Sequence, residues 1–294
     1  MKQFLFKISL IVLICGGTIA IIVLKKNDHF RDINYSKFKS KHNSLILGTS
    51  RANFAIDPAV FNEKYDLLNF AFTLATSPYG KVYYDAIKMK TKDESGAIFI
   101  LDIDPFALSQ DKTKPIFGEE KNSLGRQFLI NSDPNFEYII KNETPIYDVL
   151  FPVTESNKIK FDNGFTQLKN NYAQEQEDAM RKQKIAEYIK LSQNNALSQN
   201  RMLYLEKTIE LLKEKGNVYL VSVPVSSAIF SIQEKYWPSK YAYIENLISK
   251  YHIQYLNLQH KFPNPKTIDG VHLTLEEAHN VSTFLSSQID SLEN

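Results

Sequence analysis

Short apolar runs alternate with longer amphipathic stretches along much of this chain. Most of the apolar runs end at glycine, proline or a small polar residue, which is typical of strands buried in a sheet. The predicted strands are residues 44–47, 66–72, 97–103, 217–223 and 254–258, and the predicted helices are residues 79–90, 201–215, 237–251 and 275–292. Strands that alternate with helices favour an α/β fold with a parallel central sheet.

The alternation is interrupted between Phe106 and Asn200. Aromatic and turn-forming residues occur there first, and a stretch rich in Gln, Asn, Lys and Glu follows, for which we predict a helix over about 165–191. We interpret residues 106–200 as one insertion in a single α/β domain. Such an insertion serves as a lid or a partner surface, or it is a structural elaboration without a function of its own.

An apolar run near the amino terminus, residues 4–24, is about long enough to span a bilayer. A cleaved signal peptide is the alternative, but its apolar core is shorter and ends at a small-residue cleavage site. Here Ile-Ile-Val-Leu runs directly into Lys25 and Lys26, so we predict an uncleaved anchor. The predicted divisions of the chain are a membrane anchor in 1–26, a polar tether in 27–43 and the α/β domain in 44–294.

The charges that flank the anchor bear on its orientation. Only Lys2, Lys7 and the terminal amine precede the apolar run. The basic residues that follow it are Lys25, Lys26, Arg31, Lys37, Lys39 and Lys41. Counted alone, this excess of Lys and Arg places the large domain in the cytoplasm.

The overall composition excludes some classes of function without selecting one. The chain of 294 residues has a formal net charge of +2, and no block dense in Lys and Arg stands beside aromatic residues, so we expect no nucleic-acid binding. The one cysteine, Cys15, lies within the apolar run and cannot form an internal disulfide. Because His252 and His260 lack carboxylates at metal-ligand spacing, we expect neither a metal site nor a cofactor.

The first candidate for chemistry follows the first predicted strand, which stops abruptly at Gly48. Open parallel sheets carry their reactive groups just beyond the carboxyl ends of the strands. Ser50 occupies that position, where a following helix would point backbone N–H groups toward an oxyanion. The alternative is that Thr49 or Ser50 only caps the helix that begins near Arg51.

The second candidate precedes the last predicted helix, in the sequence Ile268-Asp269-Gly270-Val271-His272-Leu273-Thr274. An Asp three residues before a His, in a loop, lets the carboxylate reach the imidazole, fix its tautomer and stabilise the imidazolium. The other ring nitrogen then stays free to accept a proton from a serine. Such spacing also arises by chance, so an ordinary turn and helix cap is the alternative.

A Gly-x-Ser that closes the first strand, together with Asp-x-x-His-Leu before the last helix, resembles the SGNH/GDSL hydrolase superfamily over residues 44–106 and 201–292. The motif Gly-Thr-Ser-Arg-Ala, followed by Ile-Asp-Pro, is most similar to the membrane-anchored branch of this superfamily. That branch includes the D-alanyl-lipoteichoic acid biosynthesis protein and the alginate O-acetylation proteins. The resemblance implies a flavodoxin-like three-layer sandwich. It also implies that Ser50 is the nucleophile, His272 the base and Asp269 the acid that orients the base.

The chain departs from the family pattern around the expected oxyanion hole. Thr49 replaces the usual Asp before the nucleophile, and Ala71 stands where the second family block has a glycine. The third block normally supplies an asparagine, but residues 101–105 offer Asp102 and Asp104, which accept and cannot donate when ionised. The candidates for oxyanion stabilisation are therefore Ser50, Arg51, Ala71 and Thr73, with Ser77 as a further substitute.

The resemblance implies an esterase or acyltransferase that acts on acyl esters of a cell-envelope carbohydrate through an acyl-Ser50 intermediate. It implies a single-pass membrane protein whose catalytic domain lies on the extracytoplasmic side, contrary to the charge count, with a membrane-bound O-acyltransferase as partner. A plain esterase and a catalytically idle subunit that scaffolds a polysaccharide-modifying complex remain as alternatives. The missing asparagine favours the idle subunit, whereas the joint presence of Ser50, Asp269 and His272 argues against it.

Overall fold

The structure is a computed structural model, and it describes residues 1–26, 34–92, 96–113, 124, 158–168 and 172–293. The strands are β1 (Ser44–Leu47), β2 (Leu67–Asn69), β3 (Ala97–Asp102), β4 (Ser109–Asp111), β5 (Lys158–Lys160), β6 (Thr166–Leu168), β7 (Asn195–Leu197), β8 (Gly216–Ser222) and β9 (Gln254–Asn257). The α-helices are α1 (Lys2–Lys26), α2 (Ser50–Ala55), α3 (Lys81–Lys90), α4 (Gln174–Asn194), α5 (Gln199–Lys213), α6 (Ser227–Tyr236), α7 (Lys240–Tyr251), α8 (Leu258–Lys261) and α9 (Leu275–Glu293). Short 3-10 helices lie at Tyr35–Phe38, Pro58–Val60 and Glu63–Tyr65.

Five of the strands form one sheet in the order β2-β1-β3-β8-β9, and every neighbouring pair is parallel. The register pairs Leu45 with Leu68 on one side and with Phe99 on the other. Each of the five predicted strands contributes one member, which confirms the predicted α/β fold with a parallel central sheet. Because β1, β3 and β8 end side by side, the residues that follow them meet at one edge of the sheet.

Both faces of this sheet are covered by helices, which explains why its strands are apolar without alternation. Leu47 and Leu101 point to one face, where they pack in a core with side chains of α3, α5 and α7. Ile46 and Ile100 point to the other face and pack with side chains of α2 and α9. All four side chains are fully buried, and each contributes about 1.5–3 kcal/mol relative to exposure.

The region after β8 differs from the sequence prediction. The helix predicted over 237–251 begins at Lys240, because Pro238 disfavours helical geometry at the residue before it. Trp237 instead ends the preceding helix, α6, which we did not predict. In that ten-residue helix the buried residues are Ile229 and Gln233, which lie one turn apart on the same face.

The two ends of the 106–200 insertion pair with each other. Strand β4 runs antiparallel to β7, so the insertion leaves and re-enters the α/β domain at one place. Helix α4 begins at Gln174 rather than near residue 165, because Thr166–Leu168 pair with β5 as strand β6. Residues 114–123, 125–157 and 169–171 lie outside the described part of the chain, and the role of the insertion as a lid stays a prediction.

Helix α1 holds the one stretch of the described chain, Lys2–Ile21, that is long and apolar enough to cross a membrane. The first part of the predicted tether, residues 27–33, lies outside the described residues. In its second part the 3-10 turn Tyr35–Phe38 packs on the α/β domain. Phe38 is fully buried there, with its ring stacked on Phe72 at a centroid distance of 5.7 Å.

Gly48→Ala is expected to lower the free energy of unfolding by about 2–4 kcal/mol. Gly48 joins β1 to α2 with a backbone φ of +143°, and a Cβ there would lie 2.9 Å from the Asp102 Cβ. Thermal unfolding of the full-length chain in detergent, followed by circular dichroism, measures the loss. The control is Gly80→Ala, because a Cβ at Gly80 would meet only the Pro78 carbonyl oxygen, at 3.8 Å. Equal melting temperatures for the two variants would contradict this explanation.

Candidate active site

Ser50 begins helix α2 directly after β1, at the carboxyl edge of the sheet. The residue that caps this helix is Thr49, whose Oγ1 accepts a bond from the Arg51 backbone N–H at 3.4 Å. The same hydroxyl donates to the Asp104 Oδ2 at 3.1 Å, which ties the cap to the residues after β3. Because Thr49 provides the cap, the hydroxyl of Ser50 is left to contact other groups.

The structure brings Ser50, His272 and Asp269 together from opposite ends of the domain's sequence. His272 Nε2 lies 3.0 Å from the Ser50 Oγ, and His272 Nδ1 lies 2.8 Å from the Asp269 Oδ2. Both are hydrogen-bond distances. One ring nitrogen therefore faces the hydroxyl and the other faces the carboxylate, which is the arrangement that lets an imidazole take a proton from serine.

A closed loop between β9 and α9 holds the histidine and the aspartate in a fixed relation. Thr267 and Leu273 pair across the ends of the loop as an isolated bridge. At its tip Gly270 has a φ of +94°, and its carbonyl accepts a bond from the Ser226 backbone N–H at 2.9 Å. The loop is thus tied to the segment after β8, which places His272 over the end of β1.

Asp269 is held as a carboxylate by several donors. Its Oδ1 accepts backbone N–H bonds from Val271 at 3.0 Å and from His272 at 2.9 Å, while its Oδ2 faces the His272 ring. Burial acts to raise the pKa of Asp269, but the bond and charge of His272 and the two backbone donors outweigh it and keep the pKa below its usual range. An ionised Asp269 stabilises the charged form of His272 after proton transfer.

Helix α2 also supplies a wall for the imidazole. The ring of Phe54 lies 4.8 Å from the His272 ring, measured between centroids, with an interplanar angle of 52°. Phe54 is buried and follows Ser50 by about one helical turn. We did not predict this contact, since the sequence shows that Phe54 shares a helix face with Ser50 but does not show which ring packs on it.

Arg51 points into the interior of the protein. It is 2% exposed, and its Nη2 donates to the Val223 carbonyl. Its Nη1 lies 3.6 Å from the Asp104 Oδ1 and its Nε lies 3.9 Å from the Asp102 Oδ2. The guanidinium predicted as an oxyanion donor is therefore engaged by groups that follow β3 and β8, and it joins the start of α2 to the ends of those strands.

Two further predicted donors are also engaged inside the protein. Ala71 is fully buried, and its backbone N–H donates to the Asn69 Oδ1 at 3.1 Å. The Ser77 hydroxyl donates to the Gly48 carbonyl at 2.7 Å. The first contact is made to the last residue of β2, the second is made to the backbone at Gly48, and neither donor is directed at the Ser50 hydroxyl.

Thr73, the remaining oxyanion candidate, lines a cavity of about 670 Å³ together with Ser50, a size typical of small-ligand sites. Its wall includes Pro78 and Phe106 and residues contributed by the insertion and by the start of α5. Those residues include Lys184 and Glu187 of α4 and Arg201 of α5. We did not predict these three residues as part of the site. The sequence around them contains no motif, and nothing in it indicates that α4 packs near the edge of the sheet where Ser50 lies.

Among the residues that the structure describes, no group of three or more His, Cys, Asp or Glu side chains is arranged to hold a metal ion. Comparisons with protein-family models, curated proteins and solved structures find no match to this chain. A function for the site is therefore argued from its geometry and from the motifs of the sequence.

Asp269→Asn is expected to lower the free energy of unfolding by about 1–3 kcal/mol near neutral pH, because an amide cannot accept every bond that the carboxylate accepts. The pKa of Asp269 is lower in the folded than in the unfolded chain. The stabilisation is therefore fully present above about pH 4 and is lost as the pH falls further. Thermal unfolding of the full-length chain in detergent, measured from neutral pH down to about pH 3, tests both effects.

The control for this experiment is Asp85→Asn, because Asp85 forms an exposed pair with Lys81 on the surface of α3. Exposed pairs contribute little to stability, so this variant should melt like the wild type at every pH. A difference in melting temperature between wild type and Asp269→Asn that does not shrink on acidification would contradict the assigned hydrogen bonds.

Proposed function

We propose that this protein is a membrane-anchored serine esterase or O-acyltransferase of SGNH type, acting on acyl esters of a cell-envelope carbohydrate. The observation that carries the proposal is the relay formed by Ser50, His272 and Asp269, with contacts of 3.0 Å and 2.8 Å. A serine hydroxyl is a weak nucleophile alone, and an adjacent base oriented by a third group activates it. Among the described residues, one other serine contacts a histidine that also contacts a carboxylate. It is Ser40, whose partner His42 also contacts Asp66.

That second constellation is the weaker candidate. Ser40 is exposed, and it lies two residues from His42 in a segment that precedes β1. Burial and the nearby Lys90 lower the pKa of His42 despite its bond to Asp66. Ser50 lines the cavity of about 670 Å³, whereas Ser40 lines neither that cavity nor the groove between α3 and α5. The Ser50 site is therefore the one that combines a nucleophile, a base and room for a substrate.

In the proposed reaction the Ser50 Oγ attacks the acyl carbonyl carbon while its proton passes to the His272 Nε2. The tetrahedral intermediate collapses when the bond between its carbon and the leaving group breaks, and the leaving group takes the proton from His272. In ester hydrolysis the leaving group is a sugar oxygen, and in transfer it is the atom of the donor partner that carried the acyl group. The acyl-Ser50 ester is then attacked by water or by a second sugar hydroxyl, with His272 again accepting the proton. This second intermediate collapses when the bond between the acyl carbon and the Ser50 Oγ breaks, and the Oγ takes the proton back from the His272 Nε2. Throughout, Asp269 stays ionised and holds the imidazole.

The fold supports this assignment through the position of the site. The sheet order β2-β1-β3-β8-β9 becomes 2-1-3-4-5 when the five sheet strands are numbered among themselves, the order of flavodoxin-like sheets. Such sheets bind ligands beyond the carboxyl ends of their strands, where Ser50 lies. The oxyanion donors that we propose are the backbone N–H of Ser50, in the first turn of α2, and the backbone N–H and hydroxyl of Thr73.

A role in transfer rather than simple hydrolysis is supported by the wall that the insertion contributes. Lys184 and Glu187 of α4 border the same cavity as Ser50, so the insertion limits access to the nucleophile. Acyl transfer requires that water be kept from the acyl-enzyme while an acceptor is held in place. We propose that the acceptor is a sugar hydroxyl supplied by the envelope carbohydrate, with a membrane-bound O-acyltransferase as the donor partner.

The second candidate function is a catalytically idle subunit that scaffolds a polysaccharide-modifying complex. The observation that favours it is the engagement of Ala71 and Arg51 by interior groups, which leaves fewer donors for an oxyanion. Loss of one such donor lowers the rate by about 10²–10³ in well-studied serine hydrolases. A slow enzyme and an idle scaffold share the same geometry at Ser50. They are therefore distinguished by whether Ser50 reacts with a serine-directed probe.

A serine-directed fluorophosphonate is expected to label the full-length protein at Ser50. The activated Ser50 Oγ attacks the phosphorus of the probe, and fluoride leaves. Ser50→Ala should abolish labelling, and His272→Ala should slow it by about a thousandfold or more. Asp269→Asn should retain weak labelling, since the imidazole persists in a poorly held tautomer. Fluorescence of the labelled band and mass spectrometry of the modified peptide measure the result.

The matched control is Ser109→Ala, because Ser109 lines the same cavity while its hydroxyl donates to the Pro105 carbonyl. This variant should label at the wild-type rate. Labelling that persists in Ser50→Ala would identify another nucleophile. An unlabelled wild type, together with full acylation of envelope carbohydrate in cells that carry Ser50→Ala, would establish the scaffold function instead.

We propose that the α/β domain lies on the extracytoplasmic side of the membrane, held by α1. Protease added to cells expressing the full-length chain, after the outer barrier is opened, is expected to digest the domain, because an envelope carbohydrate is reached only from that side. A cytoplasmic marker protein must stay intact in the same sample. Protection of the domain until lysis would show that the excess of Lys and Arg after α1 sets the orientation.

A further inference from the structure

Lys37 is a lysine buried in the 3-10 turn Tyr35–Phe38, which precedes β1 in the segment that follows α1. Its side chain is fully buried, although lysine is among the residues least often found inside proteins. A buried lysine nitrogen needs hydrogen-bond acceptors around it. The identity of those acceptors connects this turn to the candidate active site.

The Lys37 Nζ donates to the Asn53 Oδ1 at 2.9 Å and also to the Ala71 carbonyl oxygen. It lies 4.8 Å from the centroid of the Phe72 ring, over its face. Asn53 belongs to α2, whereas Ala71 and Phe72 belong to the loop that follows β2. One nitrogen atom therefore bridges two segments that are far apart in the sequence.

Both of these segments border Ser50. Asn53 is one turn along the helix that Ser50 begins, and its backbone N–H donates to the Thr49 carbonyl at 3.0 Å. Phe72 donates its backbone N–H to the Gly48 carbonyl at 3.4 Å, and the next residue, Thr73, lines the cavity with Ser50. Lys37 thus joins the nucleophile helix to the loop that carries an oxyanion candidate, in addition to Asn69, whose Nδ2 donates to the Ala52 carbonyl at 3.0 Å.

The turn that carries Lys37 is held by contacts of its own. The Nζ of Lys90, another fully buried lysine, donates to the carbonyl oxygens of Lys37 and Ser40. Phe38 packs in the core against Phe70 and Phe72. These contacts involve the backbone of the turn or a neighbouring side chain, so the turn has support that does not pass through the Lys37 nitrogen.

We infer that Lys37 is a positioning residue for Ser50, acting through Asn53 and the Ala71 carbonyl. The inference rests on the proposed function, in which Ser50 is the nucleophile. Removal of the nitrogen leaves two buried acceptors without their donor, and α2 and the loop after β2 relax to find others. A displacement of that kind slows a reaction that needs aligned groups more than it weakens binding.

The test compares Lys37→Met with Lys90→Met in the full-length chain in detergent, using a fluorophosphonate as the probe. Lys37→Met removes the buried nitrogen that the turn carries, and Lys90→Met removes a buried nitrogen at the end of α3 that bonds to the backbone of the turn. Both variants keep an unbranched apolar side chain. Lys37→Met should label at Ser50 about tenfold more slowly than wild type. Lys90→Met should label within about twofold of wild type at a temperature where both variants are folded, because Lys90 donates to the Lys37 and Ser40 carbonyls and to no group of α2. Its contact with the loop after β2 is with the Phe70 ring, whose centroid lies 5.6 Å from its Nζ, and not with the Ala71 carbonyl that Lys37 binds.

Asn53→Leu removes the acceptor at the other end of the bond and provides a second variant if Lys37→Met does not fold. It should slow labelling by a similar factor, and the double variant should be no slower than either single variant, since the two share one interaction. Hydrogen exchange at the backbone amides of α2 should become faster in Lys37→Met and Asn53→Leu and stay unchanged in Lys90→Met.

Wild-type labelling rates in both Lys37→Met and Asn53→Leu would overturn the inference, and so would equal slowing in Lys90→Met, which would indicate a general loss of stability. Hydrogen exchange tests the contact of Lys37 with α2 separately from the reactivity of Ser50. An unlabelled wild type with faster α2 exchange in Lys37→Met would refute the proposed nucleophile and leave Lys37 as the residue that holds α2. Unchanged α2 exchange would refute the role of Lys37 whether or not Ser50 reacts.

Discussion

The buried guanidinium of Arg51 fixes where helix α2 begins relative to the sheet. It bonds to the Val223 carbonyl and lies 3.6 Å and 3.9 Å from carboxylate oxygens of Asp104 and Asp102. Burying such charges costs several kcal/mol for each ion, and their attraction offsets this only where the geometry is good. The cluster therefore contributes more to the position of Ser50 than to net stability. Burial, together with the neighbouring charge of Asp104, raises the pKa of Asp102 even beside Arg51.

The same cluster explains why an asparagine is absent after β3. Asp104 accepts bonds from the Thr49 hydroxyl and from the Phe106 backbone N–H, and Asp102 accepts one from the Val223 backbone N–H. An asparagine at either position would lose the charge that attracts Arg51. Under the proposed function, the chain thus uses this strand end to hold the nucleophile helix, and the charge that develops on the substrate must be stabilised by donors from α2 and from the loop after β2.

The sequence predicts those parts of the molecule whose signals are local. Continuous apolar runs such as Ser44–Leu47 identify strands buried on both faces, and Gly48 after the first run identifies the sharp exit to α2. The spacing of Asp269 and His272 predicts their mutual contact, because three residues of loop are enough to bring the carboxylate to the ring. Helix α6 and strand β6 were not predicted, since both segments are short and depend on partners elsewhere in the chain.

The polar contacts of the site could not be predicted in the same way. Beside a serine that is proposed as the nucleophile, Arg51 suggests an oxyanion donor. Only its contacts with groups at the ends of β3 and β8 show that it is engaged inside the protein. Polar side chains have the same signature in the sequence whether they face water or a buried acceptor, because the difference lies in residues far away along the chain.

Lys37 is the clearest example of a polar residue whose buried position cannot be read from the sequence. In the sequence it is one of several basic residues after α1, in a polar segment with the composition of a tether. In the structure its nitrogen lies over the Phe72 ring and bonds to Asn53 and Ala71, so this part of the segment is packed on the domain. A lysine achieves this because its long apolar stem is buried as readily as an aliphatic side chain, provided that acceptors meet its end. The turn that follows α1 in the sequence and the helix that presents Ser50 therefore form one packed unit, joined by the Lys37 nitrogen and by the packing of Phe38 on Phe70 and Phe72.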